Sequence, residues 1–221
     1  MKYYKYTYKK YWIYLITVLT FVIFLSLPTN ILLAFSNLYI EIVVMLVIFI
    51  LHEVLHGLGF RICGKAKTNN IVYGAKLESG ILYCACKEEI NKKGIICSLL
   101  APLLFLTILP MTVGLILNLY TFVLIGIINL LGAAFDILAT IDILRLPKDI
   151  KYKDLDDTLG FILISNNDLS KHKNLGLKII KQGNYDSSKI KATKYDKLTI
   201  SKPSIVIFMA IIILLIISFV L

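Results

Sequence analysis

The sequence predicts an all-α polytopic membrane protein of about five transmembrane helices, with one short cytoplasmic β-hairpin. Three observations predict it. Hydrophobic residues make up 58% of the 221-residue chain, against about 45–50% in soluble domains. The excess is gathered into long runs, and roughly 20 apolar residues of helix cross about 30 Å of hydrocarbon. The 24 Lys and Arg residues are confined to three polar segments, 1–10, 61–93 and 145–202, which hold 4, 7 and 13 of them. Cytoplasmic loops carry that bias, so the N-terminus is expected inside and the C-terminus outside a multi-pass cell-membrane protein. The net charge of +10 then reports topology and anionic lipid. No basic helix or aromatic-basic module accompanies it, so membrane lipid is the expected partner and nucleic acid is not. The oligomeric state is not legible.

Taken in order, residues 1–39 are a basic, tyrosine-rich segment, MKYYKYTYKK, and a first span from Tyr11 to Leu27. The run is long for a signal-peptide core, and no small-x-small cleavage site follows it. Trp12 and the tyrosines suit the interfacial belt. A polar turn from Pro28 to Asn37 leads to residues 40–144, the membrane-embedded core. Its first helix covers about 40–62. The loop 63–93 contains a stretch, Ile71 to Cys86, rich in β-branched and aromatic residues around Glu78-Ser79-Gly80. That stretch predicts the hairpin. From Ile95 to Leu144 only Asp136 and Asp142 are charged, and the break at Asn118-Leu119-Tyr120 divides the run into helices at about 95–117 and 121–144. Pro102 and Pro110 are expected to kink the first of these. Residues 145–202 form a basic cytoplasmic region in which Phe161 to Ile164 adds a strand or short helix, and 203–221 is a fifth, uncharged helix.

Chemistry concentrates at His52-Glu53-Val54-Leu55-His56. On a helix, positions i and i+4 share a face, so both imidazoles reach one metal, and Glu53 stands beside them as a base. Ionisable groups at bilayer depth are costly and mark function. Zinc in such a site takes a third protein ligand and keeps one position open. Depth selects Asp136: His52 lies nine residues before Arg61, and Asp136 nine before Arg145. At about 1.5 Å per residue, both sit roughly 13 Å inside the same face. Asp142 is the rival, six residues nearer the cytoplasm. His172 falls in the polar region, and Glu41 at the far end of its helix. Asn129, seven residues before Asp136, is placed two turns away on the same face, to contact substrate or orient the ligands. Gly57 and Gly59 would allow close helix contact. The hairpin edge could receive a substrate as an added strand.

Cys63, Cys84, Cys86 and Cys97 lie in or beside the loop placed in the cytoplasm, which predicts reduced thiols. Cys84-x-Cys86 does not have the usual spacing of a zinc knuckle.

The segments His52-Glu53-Val54-Leu55-His56-Gly57, Tyr83-Cys84-Ala85-Cys86-Lys87-Glu88, Ala101-Pro102, Leu109-Pro110, Asn129 and Asp136 resemble, in order, a bacterial family of membrane zincin peptidases. The resemblance spans about residues 45–145. More distantly the layout is similar to the site-2 intramembrane metalloproteases. Those carry prolines between the Asn and Asp and a glycine after the Asp, which this chain lacks. The resemblance implies a zinc held by His52, His56 and Asp136, with Glu53 as base. The expected activity is therefore a membrane-embedded zinc metalloprotease acting near the cytoplasmic face on a membrane-anchored peptide or protein. Two rivals stand beside it: an inactive scaffold or immunity-type protein with a structural metal site, and a metal transporter. Polar groups clustered at one depth, without repeated halves, weigh against the transporter.

Overall fold

The chain is seen in a computed structural model, which describes residues 1–26, 38–76, 81–154, 160–172 and 174–184. The turn at 28–37, the hairpin tip at 78–80 and the expected fifth helix at 203–221 lie outside the described residues.

The all-α expectation is wrong: the fold is mixed α/β. A five-stranded antiparallel sheet has the order β4-β5-β6-β1-β7, and a separate two-stranded sheet pairs β2 with β3. The larger sheet is made of β1 (Lys2–Tyr8), β4 (Ile90–Asn91), β5 (Lys151–Asp154), β6 (Gly160–Ser165) and β7 (Leu177–Asn184). Strand β1 is the segment read as a juxtamembrane arm. Its tyrosines suit an interfacial belt, but they also alternate. Side chains on a strand change face at every residue, and Tyr4 and Tyr6 are fully buried while Tyr3, Lys5 and Thr7 on the other face are only partly so. Tyr6 stacks on Phe161 of β6 at 5.9 Å. Both neighbours of β1 lie more than 150 residues away in the chain, so the pairing has no local signature.

Helices α1 (Lys10–Leu25), α2 (Leu38–Ile62), α3 (Lys92–Pro102), α4 (Leu109–Leu117), α5 (Tyr120–Gly132) and α6 (Ala134–Arg145) complete the described elements, with a π-helical turn at Leu103–Ile108 between α3 and α4. Among the described residues, fewer spans are found than the four expected there. Two described stretches, Ile42–Ile62 and Lys92–Leu117, are long and apolar enough to cross a membrane. The pair α5 and α6, bent by 56°, is a third if it forms one span. This is consistent with membrane association. Exposed Leu46, Ile50, Phe105, Leu115 and Ile116 clothe these helices in a surface suited to hydrocarbon.

Local signals place the breaks. Asn91 caps α3, its side chain accepting from Gly94 N at 2.7 Å, which satisfies one of the free donors of the first turn. Asn118 ends α4 in the left-handed region with φ 56°, a conformation Asn tolerates better than most residues. The hairpin forms as expected, with β2 (Ile71–Lys76) antiparallel to β3 (Ile81–Cys86).

The buried cluster lies where the sheet meets the helix ends. Tyr4, Tyr6, Tyr152, Phe161 and Leu163 from the sheet join Phe60 of α2, Ile95 of α3 and Ile143 of α6. The sheet is thus packed on the C-terminal ends of α2 and α6 and the start of α3. Those are the ends marked by Arg61, Lys92 and Arg145.

Candidate metal centre

Helix α3 packs along α2, and glycine sets how closely. A Cβ at Gly59 would collide with the Ser98 backbone, and one at Gly57 with the Tyr73 hydroxyl. Gly59 therefore admits the neighbouring helix, as expected, whereas Gly57 admits the hairpin. At this close approach Ser98 Oγ donates to the His56 carbonyl at 2.8 Å, and His56 Nδ1 donates to the Ser98 carbonyl at 2.9 Å.

Helix α6 then brings Asp136 to the histidines. Asp136 Oδ2 lies 3.2 Å from His52 Nε2 and 3.5 Å from His56 Nε2, and the two Nε2 atoms are 3.0 Å apart. All three residues are buried or nearly so. The depth match between α2 and α6 is realised as direct contact.

The second nitrogen of each ring decides what this contact means. A carbonyl only accepts, so His56 carries its hydrogen on Nδ1. His52 Nδ1 lies 2.9 Å from Asn129 Oδ1. The Asn129 amide cannot be turned the other way, because its Nδ2 donates to the Pro102 carbonyl at 3.0 Å and to Thr107 Oγ1 at 2.9 Å. His52 therefore also holds its hydrogen on Nδ1. In the neutral rings both Nε2 atoms present lone pairs. Two lone pairs and a carboxylate oxygen converge with no donor among them, and Asp136 Oδ2 is buried without a hydrogen-bond partner. Such a trio repels itself unless a positive charge, a metal ion or a proton taken up by one ring, lies between its members. Ligands about 2.0–2.1 Å from a tetrahedral zinc stand about 3.3 Å apart, close to the three separations here. The residues fit the metal.

Glu53 is not one of the three. Its carboxylate accepts from the backbone of Cys84 on β3, which holds it beside the cluster at the hairpin. Cys86 N donates to Asp154 Oδ2 at 2.8 Å. Two outward N–H groups of β3 are thus engaged, and the edge considered for an added substrate strand is occupied there.

Residues 45–151 match the family described as "Putative zincin peptidase". The match covers 107 of the 221 residues and includes His52, Glu53, His56, Asn129 and Asp136. No curated protein and no solved structure gives a significant match to the chain. The zincin match and the His-His-Asp cluster together fit a zinc metalloprotease.

Other residues weighed from the sequence have different employment. Within the zincin segment, Asp142 is fully buried but points away from the histidines. Its carboxylate accepts from the backbone N–H groups of Leu175, Gly176 and Leu177 at 2.6, 2.8 and 2.9 Å, tying α6 to the start of β7. Asp142→Asn would turn an NH2 group towards these donors. Hydrogen bonds to a charged acceptor are worth about 1.5–3 kcal/mol each, so the variant is expected to lose roughly that much stability in thermal unfolding while keeping wild-type metal content. Loss of metal at full stability would return Asp142 to the ligand set. His172 follows a 3-10 turn on the sheet side, outside the cluster, and the Glu41 side chain lies outside the described residues.

The cysteines also depart from expectation. Cys63 and Cys97 form a disulfide, because the tight α2–α3 packing at Gly59 and Ser98 brings their Cα atoms to 6.2 Å. Cys84 and Cys86 are free. Burial pushes both thiols up, Cys86 to about 11, so neither is a thiolate at neutral pH. A four-cysteine zinc site is excluded.

The relation between Asn129 and Asp136 was misplaced by the sequence reading. They do not share one straight helix face, because the bend at Ala133 separates them. Asn129 reaches the outer nitrogen of His52 and Asp136 the inner one. Thr107 and Ser98 were missed altogether. A polar residue in an otherwise apolar helix was the available signal for both.

Proposed function

We propose that this chain is a membrane-embedded zinc metalloprotease that hydrolyses peptide bonds near the cytoplasmic face. The observation that carries the reading is the convergence of three acceptor atoms with Glu53 beside them and outside the set. His52, His56 and Asp136 would hold the ion, which leaves one position of a tetrahedral site open. Bound zinc would bring the pKa of a water towards neutrality and polarise a peptide carbonyl. Glu53, beside the three, would be the group to take up a proton from an attacking water and return it to the leaving amine. Asn129 and Ser98 hold the ligating rings in place.

Cytoplasmic placement draws support from the large sheet. It gathers strands from all three segments that carry Lys and Arg: β1 from 1–10, β4 from 61–93 and β5 to β7 from 145–202. A single sheet lies on one side of a membrane, so these segments share a side, and their positive charge makes it the inner one. The cluster lies within the helices a few turns from that side, so the substrate class is a membrane-anchored peptide or protein.

Two measurements test the proposal. Purified protein is expected to carry one zinc per chain by elemental analysis. Thiols introduced near Asn118 are expected to be labelled from outside the cell and those near Lys65 are not. A chain that takes up no zinc on remetallation removes the catalytic reading, and external labelling near Lys65 removes the placement.

A further inference from the structure

Both ligating histidines are oriented by one short stretch of helix that neither the motif nor the metal touches. Pro102 ends α3 inside an apolar run, and the π-helical turn Leu103–Ile108 follows directly. Proline lacks an N–H, so the carbonyl four residues earlier loses its helical donor, and the ring pushes that carbonyl aside. Four residues before Pro102 is Ser98, whose carbonyl accepts from His56 Nδ1. The widened turn that follows then presents two acceptors to one amide: the Pro102 carbonyl and Thr107 Oγ1 both accept from Asn129 Nδ2. That leaves Asn129 Oδ1 facing His52 Nδ1. π-turns recur at functional sites, and here the turn supplies two contacts that an unbroken α-helix would not.

We infer that the Pro102–Thr107 segment is a positioning device that sets the tautomer of both metal-site histidines: Pro102 acts on His56 through the freed Ser98 carbonyl, and Thr107 acts on His52 through Asn129. Neither residue belongs to the converging trio. The inference deepens the zinc-site reading and rests on it for its consequence, but the tautomers exist without the metal.

The chain has three histidines, so 15N spectra of the imidazole rings in metal-free protein are assignable. In wild type, with both rings neutral, His52 and His56 are expected as the Nδ1–H form. Pro102→Ala restores the N–H at 102 and draws the Ser98 carbonyl back towards the helix axis. His56 is then expected to populate the other tautomer while His52 stays. Thr107→Val, nearly the same shape without the hydroxyl, is expected to disturb His52 and spare His56. Thr107→Ser is expected to restore His52. Partners of metal-binding histidines typically carry about 10–100-fold in metal affinity. Zinc titrated against a competing chelator should therefore bind about 10-fold more weakly to Pro102→Ala and to Thr107→Val. Because alanine is the better helix former, Pro102→Ala should melt no lower than wild type, which a merely structural proline would not allow. Unchanged ring signals in both variants would overturn the inference, as would an equal disturbance of both rings by either one. If wild type binds no zinc but the ring signals shift as stated, the zinc reading fails and the positioning device stands.

Discussion

Glu53→Gln is expected to lower peptide hydrolysis by about 10²–10⁴-fold, the usual contribution of a general base, while zinc content stays at the wild-type level. The argument is geometric. The three atoms that converge belong to His52, His56 and Asp136, and Glu53 is not among them. Glutamine keeps the shape and can still accept from Cys84, so neither the hairpin contact nor the ligand set is disturbed. What disappears is the ability to take up a proton. The measurement pairs elemental analysis with accumulation of uncleaved membrane-anchored peptides in cells carrying the variant. The scaffold reading requires a silent Glu53→Gln, and a variant with full biological function would leave only a structural zinc site.

Asp136→Asn is expected to move metal affinity and metal-free stability in opposite directions. An apparent zinc affinity of about 10–16 kcal/mol shared over three ligands gives each roughly 3–5 kcal/mol. Losing the carboxylate should then weaken zinc binding by about 10²–10⁴-fold. In the metal-free protein the sign reverses. Asp136 Oδ2 is an unpartnered acceptor facing two other acceptors, a conflict worth about 1–3 kcal/mol. An amide NH2 at that place donates to His52 Nε2 or His56 Nε2 and removes it. Thermal unfolding in excess chelator, at an alkaline pH where both rings are neutral, should show the variant to be more stable than wild type. A variant less stable than wild type without metal would mean that the trio is not the acceptor-only cluster derived from the ring hydrogen bonds. It also separates the two aspartates, since Asp142→Asn is expected to lose stability and keep its metal.

Where the sequence was legible, the geometry was local. His52 and His56 share a face because a helix repeats every 3.6 residues, whatever else the chain does. The hairpin needed only two short runs of strand-forming residues with a turn between them. Asn118 ended a helix on its own backbone preference. The match of His52 to Asp136 used one rigid rule, the fixed rise of a helix measured from the Arg at its end. The bend at Ala133 sat beyond that rule without spoiling it, because Asp136 and Arg145 lie on the same side of the bend.

Alternation in the first ten residues was visible and was read for its tyrosines instead of its period. The thiols followed the topology, and the topology says nothing about two cysteines brought together where Gly59 lets α3 approach α2. Nothing near the hairpin edge in the chain competes for its N–H groups. Glu53 and Asp154 reach it from other elements.

By itself the sequence determined that His52 and His56 share a helix face, the depth of Asp136, the place of Glu53 beside the histidines and the apolar helices that carry them, since each follows from spacing within one helix or from composition. Tertiary structure alone decided that residues 2–8 lie inside a sheet with strands more than 150 residues away, that Asp142 clamps β7 instead of the metal, and that Ser98 and Asn129 choose the face each imidazole presents. The division has one physical cause. A helix sets the relation between residues three or four apart, but a hydrogen bond between His52 and Asn129, 77 residues apart, depends on the path of everything between them.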